Sequence, residues 1–301
     1  MTTAESRGVA STTPGQPSDV LIQRARQIIK RELAAYSQRT LGSQRATERA
    51  RKVLPLGVPS SFQAYDPHPI VVRRAQAAWM EDVDGNRYTD FDMGFGALFS
   101  GHSNPIVRAA VERQLDDGTL FVTPCEANAT VAELLADRYR LPMWRFTNSG
   151  TEATMDAIRV ARGVTGRQKI VKVEGGYHGH HDEVMISMKP PLDRAGPADA
   201  PISVAATAGI TDAVLADTIV IPYNDPAALE RALSGGDVAC FIVEPAMENI
   251  GICMPDPGYL EAVRAITLAH GTKLIFDEVK TGITAGWGGA TGVFGVQPDM
   301  V

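Results

Sequence analysis

The chain has few cysteines, no long apolar run and no excess of basic residues. Its three cysteines, Cys125, Cys240 and Cys253, are odd in number and widely spaced, which argues against a disulfide framework and favours a reducing cytoplasm. No apolar run approaches the ~18 residues of a membrane span, so no membrane partner is expected. The formal net charge of -6 offers no basic face to a nucleic acid.

What remains is the composition of an ordinary globular protein, with 44% hydrophobic and 21% charged residues in 301 positions. This length allows one large domain or two modest ones. The first 19 residues are rich in Ser, Thr, Gly and Pro and lack the apolar centre of a secretory signal, so we predict a disordered tail there. Residues 20–100 are predicted to form helices and a β-hairpin with its turn at Asp84-Gly85.

From Asn104 onward, helical patterns alternate with short apolar runs. Such alternation predicts an α/β fold whose sheet is mainly parallel and covered on both faces. Ligands of these folds bind beyond the carboxyl ends of the strands, so functional residues are sought just after each apolar run. The predicted helices are 105–115, 126–139, 151–162, 226–233 and 257–270, and the predicted strands are 144–147, 169–173, 218–221, 239–243 and 273–276.

The first candidate site reads Asn148-Ser149-Gly150-Thr151-Glu152-Ala153 and leads from a predicted strand into a helix. A small residue such as Gly150 lets the backbone approach a ligand closely. The amides and dipole of a helix N-terminus attract anions, and the hydroxyls of Ser149 and Thr151 add donors. The pattern predicts a phosphate site, and the alternative is a simple Ser or Thr helix cap.

The second candidate is the run Gly175–Asp182, which follows the next apolar strand. Three histidines in four positions, His178, His180 and His181, allow a metal-site interpretation, although no Cys cluster or second His pair accompanies them. Tyr177 is flanked by glycine at a strand end, where its ring can lie flat against a planar ligand. The alternative is an ordinary loop tyrosine.

Carboxylates follow the last two predicted strands. Glu244 comes directly after one, with Asn249 in the loop beyond, and a carboxylate there is costly unless it is paired or functional. The alternative is that it satisfies loop backbone groups. Asp277 and Glu278 follow the other strand and should point in opposite directions. An Asp facing the ligand crevice can hold a proton on a heterocyclic nitrogen, and the alternative is helix capping.

Together these four motifs resemble the class III aminotransferase family of fold type I, in order and in spacing. The likeness covers residues 53–301, and the branch it looks most like is glutamate-1-semialdehyde 2,1-aminomutase. It implies a pyridoxal 5'-phosphate (PLP) binding large domain over residues 101–301. It also implies a homodimer that moves an amino group from a small-molecule amine donor to a carbonyl acceptor. The matching landmarks are Asn148–Ala153, Gly176–Gly179, Glu244-Pro245 and Phe276–Val279.

The resemblance implies which residues hold the cofactor phosphate and the faces of its ring. Ser149, Gly150 and Thr151 would hold the phosphate at a helix N-terminus. Tyr177 would stack on the pyridine ring, and Val279 would press on the opposite face.

The polar edge of the ring has implied partners as well. Asp277 would pair with the protonated ring nitrogen and so keep the ring an electron sink. Asn249 matches the family residue that hydrogen-bonds the phenolic oxygen. His178 and Glu244 would support these contacts from behind.

Members of the family place their Schiff-base lysine a few residues beyond a motif that here reads Pro298-Asp299, and the present chain stops at Val301. We therefore expect a fragment of a longer protein, inactive by itself, without the smaller C-terminal domain. Lys280 is not expected to substitute, because it lies too close to Asp277 to reach the far end of the cofactor.

Substrate residues also differ from the aminomutase branch. Gln63 stands where that branch has an arginine, in a segment that includes Ser60, and Phe95 stands where it usually has tryptophan. Glutamine offers no charged fork to a carboxylate. The leading prediction is thus an aminotransferase acting on another substrate, such as a β-amino acid or an amine. The alternatives are the aminomutase, a non-catalytic homologue of the fold, and a metal-dependent hydrolase using the three histidines.

Overall fold

The computed structural model describes residues 19–301, so the predicted tail lies outside the described residues except for Asp19, which begins the first helix. The chain divides into two compact units. The described part of the first comprises residues 19–93 and Ser100–Arg113, and the second comprises Gly94–Phe99 and Gln114–Val301. Within the described part of the chain, no helix is both long and apolar enough to cross a membrane.

The first unit contains the predicted helices and hairpin. Its three strands form an antiparallel sheet in the order β1-β2-β3. Short 3₁₀ turns at Pro55–Gly57 and Ser61–Gln63 occupy the segment between the second helix and the sheet. The elements are α1 (Asp19–Arg39), α2 (Leu41–Ala50), β1 (Val72–Gln76), β2 (Trp79–Asp82) and β3 (Arg87–Thr89), and α3 (Pro105–Asp117) follows.

The hairpin turn is fixed by two carboxylates. Asp82 accepts hydrogen bonds from the backbone N–H groups of Asp84 and Asn86, at 2.9 and 2.8 Å, and from the hydroxyl of Tyr88 at 2.8 Å. Asp84 in turn accepts from the N–H and the hydroxyl of Ser43, at 2.9 and 3.0 Å. Asp84 of the hairpin turn therefore accepts hydrogen bonds from the first turn of α2, whose N–H groups have no acceptor within the helix.

The second unit is built on a four-stranded sheet in the order β5-β4-β6-β7, in which all neighbouring strands are parallel. This confirms the predicted α/β class. The elements are α4 (Glu126–Tyr139), α5 (Gly150–Thr165), β4 (Lys169–Val173), α6 (Asp212–Asp217), β5 (Thr218–Ile221), α7 (Pro226–Leu233), β6 (Val238–Val243), α8 (Tyr259–Ala269), β7 (Lys273–Phe276), α9 (Thr281–Thr284) and α10 (Gly289–Phe294).

The two faces of this sheet bury alternate residues of the same strands, as a sheet covered on both sides requires. On one face, Phe241 of β6 packs in a cluster with residues of α7 and α8, including Leu229 and Val263. On the other face, Ile242 packs in a cluster with Ile158 of α5. Because apolar clusters fill both faces, a ligand is expected at the strand ends.

The predicted strand at residues 144–147 is wrong. These residues pair with no strand in the described structure. Trp144 instead lines a cavity of about 210 Å³ together with Ile275 and Phe276 of β7. A strand persists only where its backbone N–H and C=O groups find a partner, and residues 144–147 have no such partner strand in the described structure.

Candidate active site

The predicted site residues of the second unit meet where the sheet ends and α5 begins. The loops that follow β4, β6 and β7 carry Tyr177 and His178, Glu244 and Asn249, and Asp277 and Val279 respectively. Carboxyl ends of parallel strands lie at one edge of the sheet, which is where open α/β folds bind ligands.

The first turn of α5 combines a helix cap with backbone N–H groups that have no intrahelical partner. Ser149 is the N-cap and its Oγ accepts the N–H of Glu152 at 3.2 Å, while Glu152 accepts the N–H of Asn148 at 2.6 Å. This is the cap that the sequence left as the alternative. The N–H groups of Gly150 and Thr151 belong to the same first turn, which leaves its amides directed out of the helix. Both interpretations of this motif therefore fit the same geometry.

Two loops close on this helix end at van der Waals distance. A Cβ atom added at Gly179 would lie 2.7 Å from Cα of Thr151, and one added at Gly150 would lie 3.0 Å from Cγ2 of Val279. The hydroxyl of Thr151 also accepts the N–H of His180 at 3.3 Å. The first turn of α5 is thus held between the loops after β4 and β7.

The carboxylate of Asp277 is buried and oriented on both sides. Its Oδ2 lies 2.8 Å from Nδ1 of His178, and its Oδ1 accepts the N–H of Val279 at 3.1 Å. The other ring nitrogen of His178, Nε2, is buried with no hydrogen-bond partner in the described structure. A carboxylate fixed in this way can accept a further proton-bearing group at the edge of the sheet.

Glu278 points away from Asp277, as the alternation of strand side chains predicted. Its two oxygens accept the N–H groups of Ala290 and Thr291, at 2.6 and 2.8 Å. They also accept the hydroxyls of Thr281 and Thr291, at 3.1 and 2.6 Å. Glu278 therefore fastens the start of α10 to the end of β7.

Glu244 and Asn249 organise the loop that carries Tyr177. Oε1 of Glu244 accepts the N–H of Tyr177 at 2.9 Å, and Oε2 accepts the N–H of Glu248 at 3.1 Å. The amide nitrogen of Asn249 donates to the carbonyl oxygen of Gly175 at 2.9 Å. Glu244 thus satisfies loop backbone groups, which was the alternative interpretation of the strand-end carboxylate.

Tyr177 and Val279 remain accessible beside these buried groups. Their exposed fractions are 39% and 67%, which leaves their side chains available to a ligand. Nζ of Lys280 lies 3.6 Å from Oε2 of Glu244, so this lysine is engaged with the carboxylate that holds Tyr177.

The three histidines do not converge on one point. His178 faces Asp277, whereas His181 lies 3.0 Å from Glu183 through Nδ1 and 3.2 Å from Thr154 through Nε2. Among residues 19–301, no group of three His, Cys, Asp or Glu side chains is arranged to hold a metal ion. The geometry of these side chains gives the metal interpretation no support.

The predicted substrate residues belong to both units: Ser60 and Gln63 to the first, and Phe95 to the second. In the first unit, the half-buried Ser60 accepts the N–H of the exposed Gln63 at 2.9 Å through its carbonyl oxygen. In the second unit, Phe95 is largely exposed and has a φ of 56°. Their roles in substrate binding stay predictions.

Several polar residues of this region were not singled out from the sequence. Thr154 lies one turn into α5, and Lys172 lies inside β4. Lys172 gave a signal, since a lysine within an apolar strand is unusual. Thr154 and Glu183 gave none, because their importance depends on which loops fold against them.

Comparisons with known proteins agree with this arrangement. Residues 61–301 match the model of the family described as "Aminotransferase class-III". A glutamate-1-semialdehyde 2,1-aminomutase of Methanoculleus marisnigri is 45% identical over 254 residues, which cover 84% of this chain and 60% of the relative.

Solved structures give the same result. An omega-transaminase from Sphaerobacter thermophilus superposes with a TM-score of 0.81 at 37% identity, over 86% of this chain and 60% of that one. A glutamate-1-semialdehyde aminomutase from Pseudomonas aeruginosa, in complex with PMP, superposes with a TM-score of 0.84 at 34% identity, over 92% of this chain and 60% of that one. The present chain therefore spans about 60% of the length of these relatives.

Proposed function

Since this chain belongs to the class III aminotransferase family, whose cofactor is PLP, we propose that the whole protein is a PLP-dependent aminotransferase acting on a small amine or amino acid. The observation that carries the proposal is the buried pair of Asp277 and His178 beside the N-terminus of α5. An acid that can hold a ring proton and a helix end that can hold a phosphate lie at one edge of one sheet.

The residues present fit the cofactor. The first turn of α5 offers N–H groups and the hydroxyls of Ser149 and Thr151 to a phosphate. Val279 lies within contact distance of this turn, since a Cβ at Gly150 would lie 3.0 Å from it. Asp277, which would meet the ring nitrogen, is buried and held by Nδ1 of His178 and the N–H of Val279.

The cofactor supplies the electron sink that makes amino-group transfer possible, and the chain supplies binding and orientation. Asp277 would hold a proton on the ring nitrogen, with His178 and the N–H of Val279 fixing the position of its carboxylate. Tyr177, held through its N–H by Glu244, would cover one face of the ring, and Val279 the other. Asn249 would donate its second amide hydrogen to the phenolic oxygen.

The substrate assignment rests on Ser60, Gln63 and Phe95. Gln63 would contact a substrate without offering a positive charge, which disfavours substrates that depend on a charged carboxylate clamp. This supports an amine or β-amino acid donor with a carbonyl acceptor. The relatedness to the omega-transaminase of known structure supports a transaminase. We also propose a homodimer, supported by the resemblance alone.

A second candidate function is glutamate-1-semialdehyde 2,1-aminomutase. The 45% identity to a curated aminomutase supports it about as well. The two candidates differ in whether a separate acceptor is required.

The test is an assay of the whole protein, loaded with PLP, on two sets of substrates. We expect turnover of an amine or β-amino acid only when a keto acid is added, and its loss in Asp277→Asn, because an amide cannot hold the ring proton. Rapid conversion of glutamate 1-semialdehyde without any acceptor would establish the aminomutase instead. No turnover of either set, with PLP bound, would favour the non-catalytic homologue.

A further inference from the structure

A closed set of polar contacts joins α5 to the loop after β4, beside the groups proposed to bind the cofactor. It begins at Thr154, one turn after the anion-binding residues, and returns to the same helix at Arg162. The intervening residues are His181 and Glu183. Residues four apart lie on one side of a helix, so Thr154, Ile158 and Arg162 form a stripe, and the buried Ile158 packs between its polar ends.

The hydroxyl of Thr154 has one hydrogen, and its closest acceptor is the carbonyl oxygen of His178 at 2.6 Å. The carbonyl oxygens of Gly150 and Thr151 in the same helix lie farther away, at 3.1 Å each. With its hydrogen directed to His178, Oγ1 of Thr154 also lies 3.2 Å from Nε2 of His181. The hydroxyl therefore bridges the loop at two points.

The remainder of the set anchors His181. Its Nδ1 lies 3.0 Å from Oε2 of Glu183, and Oε1 of Glu183 accepts from the guanidinium of Arg162 at 2.9 Å. The hydrogen bond from His181, together with Arg162, holds the pKa of Glu183 at about 2. Glu183 is therefore ionised at neutral pH.

His178 is consequently fixed at two places. Its ring faces Asp277, and its carbonyl oxygen is held by Thr154. The same residue follows Tyr177, so displacement of this peptide would move the group that stacks on the ring and the group that orients Asp277 together. The contacts of Thr154 link this peptide to the helix that would hold the phosphate.

We infer that Thr154, His181 and Glu183 are positioning residues, which hold the Tyr177-His178 peptide at a fixed distance from the phosphate-binding turn of α5. The inference rests on the proposed cofactor site and adds residues that the family landmarks do not include. None of the three would contact the substrate. Their effect would be on how well phosphate and ring are bound at the same time.

The test is the affinity of the whole protein for pyridoxamine phosphate, which has no carbonyl for a lysine to attack and so reports non-covalent binding. Thr154→Val keeps the shape of the side chain and removes the hydroxyl. We expect about tenfold weaker binding, because one hydrogen bond is lost and its buried partner is left unsatisfied. Thr154→Ser restores the hydroxyl and should restore affinity to within threefold of the wild type.

The matched control is His270→Gln. It breaks another His–Glu pair of the same unit, between His270 and Glu230 at 2.7 Å, away from the site, and should leave affinity unchanged. If Thr154→Val does not fold, Glu183→Ala tests the inference instead. We expect it to bind pyridoxamine phosphate at least threefold more weakly than the wild type.

Affinity within twofold of the wild type in Thr154→Val, or equal losses in the Val and Ser variants, would overturn the inference. Failure of the wild-type protein to bind pyridoxamine phosphate would instead count against the proposed function.

Discussion

Lys172 is a fully buried lysine whose surroundings oppose its charge. It lies within β4, and its Nζ donates to the carbonyl oxygens of Val173 and Ile186, at 3.1 and 2.8 Å. Burial lowers the pKa of this amine to about 7, against the opposing effect of Glu244 and Glu174. Two donors are what a neutral amine has to offer, so the two hydrogen bonds fit the uncharged form.

A pH-dependent stability follows from this shift. Between pH 7 and about 10 the unfolded chain binds a proton at Lys172 that the folded chain does not, so the folded state gains about 1.4 kcal/mol per pH unit as pH rises. Lys172→Met lacks this dependence but leaves the carbonyl of Ile186 unsatisfied. We expect the wild type to be more stable by about 1–3 kcal/mol near pH 10, and its advantage to shrink and then reverse towards pH 7.

Urea unfolding of both proteins at pH 7, 8, 9 and 10 measures this difference. Lys169→Met is the matched control on the same strand, because the hydrogen bond to Asp237 raises the pKa of Lys169. Its contribution is fully present up to about pH 10 and is lost only as pH rises through that raised pKa, so the difference between wild type and Lys169→Met should stay nearly constant over this range. A difference between wild type and Lys172→Met that stays constant with pH would show that Lys172 titrates normally.

Asp277 and Glu278 show how far single residues could be predicted. Strand alternation predicted that the two carboxylates diverge, and the structure confirms that they do. That Glu278 receives four hydrogen bonds, three from the start of α10 and one from Thr281 of α9, was not predictable. The residues it binds are three to thirteen positions away, in helices too short to give a periodic signal.

At the level of elements, the closest approach in the site is between the loop after β4 and the start of α5. Gly179 has a φ of 102°, and a Cβ there would lie 2.7 Å from Cα of Thr151. The contact is with backbone, which cannot move aside without shifting the anion-binding turn. Gly236 also has a left-handed φ, of 71°, but open space around it.

Substitution of these two glycines distinguishes backbone strain, which both would suffer, from a steric clash, which only Gly179 would suffer. We expect Gly236→Ala to cost about 1 kcal/mol of unfolding free energy through backbone strain alone. Gly179→Ala should cost at least twice as much and also weaken PLP binding, because its methyl group must displace Thr151. Denaturant unfolding and PLP titration of both variants provide the measurements. Equal losses of stability, with unchanged PLP affinity, would mean that the loop and the helix are not held as closely as the structure shows.

The elements themselves were predictable where a local signal existed. The bounds of α4, β4, β5, α7 and β7 agree with the sequence prediction to the residue. The strand predicted at residues 144–147 is absent because an apolar run indicates only that a strand is possible, whereas its formation depends on a neighbouring strand to pair with. The short helices α6, α9 and α10 were missed because four to six residues hold too few turns for a period to be recognised.

For the molecule as a whole, ligand binding should appear as a gain in stability. A ligand that binds only the folded state stabilises it by about 2.7 kcal/mol at a concentration 100 times its Kd, which corresponds to roughly 4 °C in Tm for a chain of 301 residues. We expect PLP to produce such a shift in the whole protein. Pyridoxal, which lacks the phosphate, should produce much less, because it forgoes the contacts at α5.

Thermal unfolding with PLP, pyridoxal and inorganic phosphate, each over a range of concentrations, checks this expectation. A partial shift with inorganic phosphate would agree with a phosphate site at Ser149, Gly150 and Thr151. Equal shifts with PLP and pyridoxal would place the binding energy elsewhere.

The sequence by itself determined the α/β class, the parallel sheet, the family and the four motifs at the strand ends. Each of these depends on residues close together in the chain, whose periodicity or spacing carries the information. Only the tertiary structure decided which carboxylate faces the site, how Lys172 is satisfied, and that Thr154 of α5 holds the carbonyl of His178. Those contacts join residues 14 to 99 positions apart, and their geometry exists only once β4, β6, β7 and α5 have packed.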